Sequence, residues 1–340
     1  MDRKLLESKK IQIFRALAII AVISIHTAPM GVKQVIIRPF INYAVAMFLF
    51  LSGYLTQIDV NENYISIKKN RIWRVLIPYI IWSIIYTIYQ YMESGYLVRN
   101  SNEVKIFVIT LLTNMITTKS NGYFYYIFVY IQMVLLTPIL FKLLKSKYWW
   151  MGFLVSPIAS IVYMYSAFWG LKHNMYLSLI WDVSCFAWII YYYLGLFLTN
   201  FEIKIQKKIK INHLTIMLMI CTILQMVEGY IWLKYVQVNY GSQLKLTTYM
   251  CNIIFLIICY RILRDNNILI KNKYLIEIGN CSFGIYLIHG LLISVVNKSL
   301  ICMSMPFIIK DLLILGLSYL IVYSGRKIFS VKICKMIGFI

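Results

Sequence analysis

Apolar runs of about twenty residues, separated by short polar breaks, make up most of the chain. A run of this length can cross a bilayer as an α-helix, because each helical residue advances the chain by about 1.5 Å. The pattern predicts about ten such spans. Their limits are close to 11–30, 36–57, 75–93, 122–141, 149–168, 179–199, 213–233, 246–263, 276–296 and 307–325. We therefore expect an all-α fold, a polytopic transmembrane helical bundle.

A further apolar segment, 105–118, is too short to span a bilayer. It favours an interfacial or re-entrant helix, since an eleventh crossing would place the basic loops that follow on the wrong side. No low-complexity linker, internal repeat or long polar tail interrupts the pattern. Residues 1–340 are expected to form a single membrane domain.

Composition and charge support a membrane protein. The chain is 61% hydrophobic and only 14% charged, whereas soluble proteins are about 25% charged. A net charge of +22 is typical of nucleic-acid binding, but most of the lysines and arginines lie in alternate short loops. This is the positive-inside distribution of a multi-pass protein of the cell membrane, in contact with lipid rather than nucleic acid. It predicts that both termini are cytoplasmic.

The first span carries the most informative pair of polar residues, Arg15 and His26. They are eleven positions apart, about three helical turns, so they share a face and are separated by about 16 Å. Ionisable residues within a span usually face protein or a wet cavity. This pair is therefore a candidate site. The structural alternatives are an Arg15 that extends to the interface and a His26 that is a packing residue.

Two arginines, Arg71 and Arg74, lie on one helical face at the start of the third span. Their planar guanidinium groups suit phosphate binding, and the alternative is topological anchoring. Ser52 and Gly53 near the end of the second span are small residues, whose simplest role is close helix packing.

Three other polar residues lie at or near membrane depth. Tyr286 and His289 are adjacent on one face of the ninth span, as either a core contact or a functional pair. Glu228 pairs either with a cationic site residue or with a neighbouring side chain.

The seven cysteines lack metal-ligand spacing, so no metal site is predicted. Tyr123 and its aromatic neighbours are typical of an interfacial belt.

Together these stretches resemble the acyltransferase family 3 membrane proteins, which include bacterial O-acetyltransferases of surface glycans. The similar pieces occur in the family's order: Arg15 followed by His26, FLFLSGY, RIWRVLIP, GYFYYIFVYIQMVLLTP and SFGIYLIHG. The fourth piece differs from the family where Tyr123 and Phe124 stand in place of a common tryptophan.

The resemblance implies a membrane O-acyltransferase that moves an acetyl group from cytoplasmic acetyl-CoA to a hydroxyl of a cell-surface or capsular polysaccharide or a lipid-linked oligosaccharide. No cofactor is expected to stay bound. His26 would act as general base, because an imidazole titrates near neutral pH. Arg15, Arg71 and Arg74 would bind the anionic acyl-CoA. Supporting roles would fall to Ser52, Gly53, Tyr286, His289 and Glu228.

Two other functions remain open at this point. Ionisable residues at membrane depth also suit a transporter or flippase for a lipid-linked glycan, although the internal symmetry typical of transporters is not visible. A transmembrane acyl carrier that feeds a separate transferase is also compatible with the sequence. A covalent acyl-enzyme is a further possibility, although no Ser or Cys stands beside a base in sequence.

Overall fold

The computed structural model describes residues 3–56, 64–95, 101–118, 121–170, 181, 183–200, 210–265, 272–298 and 305–340. Within these ranges the regular structure is helical, with no strand. The α-helices are α1 (Arg3–Thr27), α2 (Val32–Ile37), α3 (Tyr43–Tyr54), α4 (Tyr64–Glu93), α5 (Ser101–Thr117), α6 (Tyr125–Lys145), α7 (Met151–Tyr163), α8 (Ile189–Asn200), α9 (Ile211–Tyr235), α10 (Leu246–Arg264), α11 (Lys273–Lys298), α12 (Phe307–Ile328) and α13 (Val331–Met336).

The described residues contain nine helical segments long and apolar enough to cross a membrane. They match nine of the ten predicted spans and confirm the all-α polytopic fold. The remaining predicted span, 179–199, contains the shorter helix α8 of 12 residues, and part of its first half lies outside the described residues. The nine segments are Leu5–Thr27, Val32–Tyr54, Lys69–Glu93, Gly122–Lys145, Met151–Trp169, Ile211–Tyr235, Leu246–Arg264, Lys273–Lys298 and Phe307–Ile328.

Two helices begin well before the apolar run that predicted them. Helix α1 begins at Arg3 rather than near residue 11, and α4 begins at Tyr64 rather than near residue 75. Hydropathy marks only the part of a helix within hydrocarbon, whereas backbone hydrogen bonding continues into the polar flank. Both Arg71 and Arg74 are consequently helical, and their directions are fixed by α4.

Helix α1 lies at the centre of the bundle, packed mainly on α11 and also on α3 and α12. Its Ala16 and Ala18 are 0% exposed. Gly279 of α11 lies against the backbone carbonyl of Gln12, where a methyl group would collide. Small residues at such positions let helix backbones approach closely. Since protein surrounds α1, its polar side chains face the interior of the bundle.

The buried Lys10 joins the start of α1 to the end of α10. Its Nζ donates to the backbone oxygen of Ile262 at 2.9 Å and to that of Asp265. Carbonyl groups in the last turn of a helix have no partner within the helix, and a cation there is favourable. This contact fixes the end of α1 that precedes Arg15.

Helices α3 and α8 meet through two glycines. A methyl group on Gly53 would collide with the backbone oxygen of Tyr192, and one on Gly195 would collide with that of Phe50. The contact is reciprocal, because each helix contributes one glycine to the crossing. Gly53 therefore has the packing role that is the simplest interpretation of the small-residue pair in sequence.

The short apolar segment 105–118 falls mostly within α5, which packs alongside α4. Phe107 stacks edge-on against Tyr91 with ring centroids 4.9 Å apart, and the Asn114 amide donates to Oε1 of Gln90 at 3.2 Å. With 17 residues, α5 is about 25 Å long, less than a bilayer core. The expectation of a helix that does not span stays a prediction.

The last residues of the chain turn back into the bundle. After α12, the hydroxyl of Ser330 accepts the backbone N–H of Ile333 and caps α13. Phe339 is then 4% exposed, and the Trp82 indole of α4 donates to the backbone oxygen of Ile337 at 3.0 Å. This segment packs on α4, α11 and α12 and brings Ile340 to the wall of the site described below.

Candidate active site

A cavity of about 410 Å³ lies between α1, α3, α4, α6 and α11. Arg71 and Arg74 of α4 line one end, and His26 of α1 lines the other; Gln243, from the connection between α9 and α10, also lines the cavity. Arg15 lines the same cavity about 16 Å before His26 along α1. One interior space therefore joins the three predicted donor-binding arginines to the predicted base.

The described part of the cavity wall carries cationic side chains. Among the described residues that line it, none is Asp or Glu. The Arg15 guanidinium is close enough to that of Arg74 for the two charges to interact. Like charges near one another in a partly enclosed space are unfavourable without a counter-ion. The arrangement therefore favours an anionic ligand at this end of the cavity.

Arg71 is held by side chains at the end of α3. Its Nη1 donates to Oγ1 of Thr56 at 2.7 Å, and its Nη2 donates to Oγ of Ser52 at 3.0 Å. The hydroxyl of Tyr130 on α6 accepts from its Nε at 3.4 Å. Ser52 therefore has a defined role in the site, because it helps to orient the Arg71 guanidinium.

Arg15 and Arg74 differ from Arg71 in the hydrogen bonding of their guanidinium groups. Within the part of the chain that the structure describes, neither guanidinium donates a hydrogen bond to a protein group. Arg15 is half-buried and Arg74 is exposed. Each guanidinium carries five N–H donors, and these two groups keep theirs available to a ligand. They are the stronger candidates for direct contact with phosphate.

His26 lies near the C-terminal end of α1 and packs against an aromatic ring. The centroids of its imidazole and the Tyr123 ring are 3.8 Å apart, and the rings are tilted by 32°. The imidazole is half-buried. Tyr123 precedes α6 in a 3₁₀ turn, Gly122–Phe124. Its position against His26 differs from the interfacial belt that the sequence indicated.

Tyr286 and His289 are both close to this ring pair. The hydroxyl of Tyr286 donates to the backbone oxygen of Tyr123 at 2.6 Å. Nδ1 of His289 donates to the backbone oxygen of Tyr286 at 2.6 Å. The Tyr286 hydroxyl therefore holds the Tyr123 backbone and does not hydrogen-bond to the His289 imidazole. His289, three residues further along the helix, hydrogen-bonds to the backbone carbonyl of Tyr286 and not to its hydroxyl. Tyr286 lines the cavity, whereas His289 is 0% exposed behind it.

Glu228 lies away from the cavity. Its carboxylate accepts from the hydroxyl of Tyr165 and from the backbone N–H of Thr247, the latter at 3.1 Å. Thr247 is in the first turn of α10, where backbone N–H groups lack helical partners and a negative charge is favourable. The structure thus places Glu228 at a helix start rather than beside a cationic site residue.

Two residues of this region, Arg38 near His26 and Gln243 in the cavity wall, were not identified in the sequence. Arg38 is 9% exposed, and its Nη1 donates to the backbone oxygen of Ile25 at 3.0 Å. Its position inside the apolar run 36–57 is the same signal that marked Arg15. Gln243 lines the cavity from a loop, and a lone glutamine there carries no recognisable pattern.

These features define a polytopic membrane protein whose interior cavity has a cluster of arginines at one end and a histidine at the opposite end. The acyltransferase 3 family model, described as an acyltransferase domain, matches residues 8–325. The chain belongs to this family and is a membrane acyltransferase, which confirms the resemblance seen in the sequence. Neither the curated proteins nor the solved structures contain a match to it.

Proposed function

We propose that the protein is a cell-membrane O-acyltransferase that moves an acetyl group from acetyl-CoA to a hydroxyl of a surface or capsular polysaccharide or its lipid-linked precursor. The observation that carries this proposal is the cavity that joins Arg15, Arg71 and Arg74 to His26, with no Asp or Glu among its described lining residues. Family membership supports the acyl-transfer reaction. The positions of the arginines and the histidine support a donor at one end of the cavity and an acceptor at the other.

The donor enters at the arginine end. Acyl-CoA carries several phosphate charges, and hydrogen bonds to charged groups contribute about 1.5–3 kcal/mol each. Arg15 and Arg74 contact the phosphates directly, while Arg71, held by Ser52 and Thr56, supplies a fixed charge. The positive-inside distribution predicts that this end is cytoplasmic, the side on which acyl-CoA is made. The acyl arm then extends along α1 toward His26.

His26 acts on the acceptor hydroxyl. One imidazole nitrogen takes the hydroxyl proton while the oxygen attacks the thioester carbonyl carbon and a tetrahedral intermediate forms. Collapse of this intermediate breaks the carbon–sulfur bond, and the protonated imidazole returns the proton to the departing thiolate. The products are the O-acetyl ester and free CoA. No covalent acyl-enzyme and no metal is needed for this sequence of steps.

The function can be tested with membranes from cells that express the protein. We expect label from radiolabelled acetyl-CoA to appear in the glycan fraction, and His26→Gln to lower the rate at saturating acetyl-CoA by about 10²- to 10⁴-fold. Because only a neutral imidazole can accept a proton, the wild-type rate should fall at acid pH, where the imidazole becomes protonated. Residual activity in His26→Gln should lack this acidic limb.

Other outcomes identify other functions. Glycan export without labelling would indicate a transporter or flippase, and label retained on the protein itself would indicate an acyl carrier. Near wild-type transfer by a His26→Gln protein that accumulates normally would exclude His26 as the base. Acetyl-CoA binding to each variant, measured separately, distinguishes a failure of chemistry from a failure of donor binding.

A further inference from the structure

Within the described part of the chain, the His26 imidazole lacks the polar partner that usually orients a catalytic histidine. A general base is normally held by a hydrogen bond from its second ring nitrogen to a carboxylate or carbonyl. Among the described residues, neither ring nitrogen of His26 has a hydrogen-bonding partner. The closest ring contact is with Tyr123, at 3.8 Å between centroids. The orientation of the imidazole therefore depends on packing.

Tyr123 is itself fixed through its backbone on both sides. Its N–H donates to Oδ1 of Asn121 at 3.3 Å, which caps the 3₁₀ turn. Its carbonyl oxygen accepts from the Tyr286 hydroxyl at 2.6 Å. The next residue, Phe124, is 0% exposed and holds the turn in the core. A side chain anchored in this way presents its ring in one place.

A third ring completes the cluster. His289 stacks on Tyr123 with centroids 5.1 Å apart and an angle of 24°. Its centroid is 5.7 Å from that of His26, so the three rings are mutually in contact. The bond from Nδ1 of His289 to the Tyr286 backbone fixes this ring as well. Tyr286 thus holds both rings on which His26 depends.

We propose that Tyr123 is a positioning residue that sets the orientation of the His26 imidazole through ring contact, in place of the usual carboxylate, and that Tyr286 and His289 hold Tyr123 in place. The proposal rests on the proposed function, since it assigns His26 as the base. A misplacement of about 1 Å in a reacting group can lower a rate by about 10²-fold. The ring, and not its hydroxyl, is the essential part of Tyr123.

The test compares Tyr123→Phe with Tyr123→Leu in the acetyl-CoA assay. Tyr123→Phe keeps the ring, so the maximal rate should stay within about threefold of wild type. Tyr123→Leu removes it, so the maximal rate should fall about 10- to 100-fold with the half-saturating acetyl-CoA concentration unchanged. The midpoint of the acidic limb should also move in the Leu variant, because the surroundings of the imidazole change.

Tyr130→Leu is the matched control. Tyr130 also lines the cavity on α6, but its hydroxyl contacts Arg71 at the opposite end. This variant should raise the half-saturating acetyl-CoA concentration without moving the acidic limb. Tyr286→Phe, which keeps every ring and removes only the bond to the Tyr123 backbone, should lower the maximal rate about three- to tenfold. It carries the test if Tyr123→Leu fails to accumulate.

The proposal is overturned if Tyr123→Leu, or in its place Tyr286→Phe, has the wild-type maximal rate and acidic limb. Equal loss in the Phe and Leu variants of Tyr123 would also overturn it, because the hydroxyl would then be the essential group. These results differ from a failure of the proposed function. An inactive His26→Gln with a fully active Tyr123→Leu removes only the positioning role, whereas an active His26→Gln removes the general base.

Discussion

The three arginines of the cavity have different surroundings, so we expect them to have different roles in donor binding. Arg71 donates to Ser52 and Thr56 on α3, so part of its guanidinium is committed to the protein. Arg15 and Arg74 make no hydrogen bond to the described residues and keep their donors for a ligand. Substitution of Arg71 should therefore affect both the packing of α3 on α4 and the donor, whereas substitution of Arg74 should affect the donor alone.

Arg74→Ala should weaken acetyl-CoA binding about tenfold to a hundredfold, the range that corresponds to one charge-assisted contact. Lys69 is the matched control, because it is an exposed cation on the same helix that does not line the cavity. Lys69→Ala should bind acetyl-CoA as the wild type does. Equilibrium binding of labelled acetyl-CoA to purified variants measures both. Equal affinity of the two variants would return Arg74 to topological anchoring.

At the scale of elements, two neighbouring small residues of α3 have different roles: Ser52 contributes to the site and Gly53 to helix packing. Ser52 and Gly53 are adjacent, so their directions differ by about 100°. Ser52 faces Arg71 and the cavity, while Gly53 faces the backbone of α8. Helix α3 thereby connects the α8 crossing to the arginine end of the cavity. The position of Ser52 depends on how closely Gly53 lets the two helices approach.

Gly53→Ala should lower the thermal stability of the purified protein, because the added methyl group meets the Tyr192 carbonyl and the two helices must separate. Gly316→Ala is the control, since a methyl group on this helical glycine meets open space. Thermal unfolding in detergent should show a lower midpoint for Gly53→Ala and no decrease for Gly316→Ala. An unchanged midpoint in Gly53→Ala would mean that the α3–α8 crossing adjusts without loss.

At the scale of the whole molecule, the order of the helices brings different helix ends together at the two ends of the cavity. The start of α1 and the end of α10 meet through Lys10 at the arginine end. The end of α1 and the start of α6 meet through His26 and Tyr123 at the other end. The distribution of lysines and arginines then predicts which end is cytoplasmic. The proposed function requires this cavity to be reached by a donor from one side and an acceptor from the other.

Single cysteines at exposed lysines test this orientation. Lys147 and Lys273 are predicted to lie in the cytoplasm, and Lys33 and Lys234 outside. The six described cysteines are buried and should label slowly; Cys302, outside the described residues, is replaced by serine. In intact cells an impermeant thiol reagent should label only the Lys33→Cys and Lys234→Cys proteins. Labelling of Lys147→Cys or Lys273→Cys under the same conditions would contradict the predicted topology.

The sequence by itself determined the class of fold and the first outline of the site. The lengths of apolar runs set the spans, because the bilayer fixes how long a helix must be. Helical periodicity placed Arg15 and His26 on one face of α1, and Arg71 and Arg74 on one face of α4. Both results depend only on residues close together in the chain, so no knowledge of helix packing was needed.

Only the tertiary structure decided which faces meet. It placed Tyr123 against His26, identified α8 as the helix that Gly53 packs on, and placed Glu228 at the start of α10. It also brought the C-terminal segment to the cavity wall through Ile340. Lateral packing between helices in a membrane depends on close van der Waals contact between distant parts of the chain. The periodicity of one helix contains no information about its neighbour.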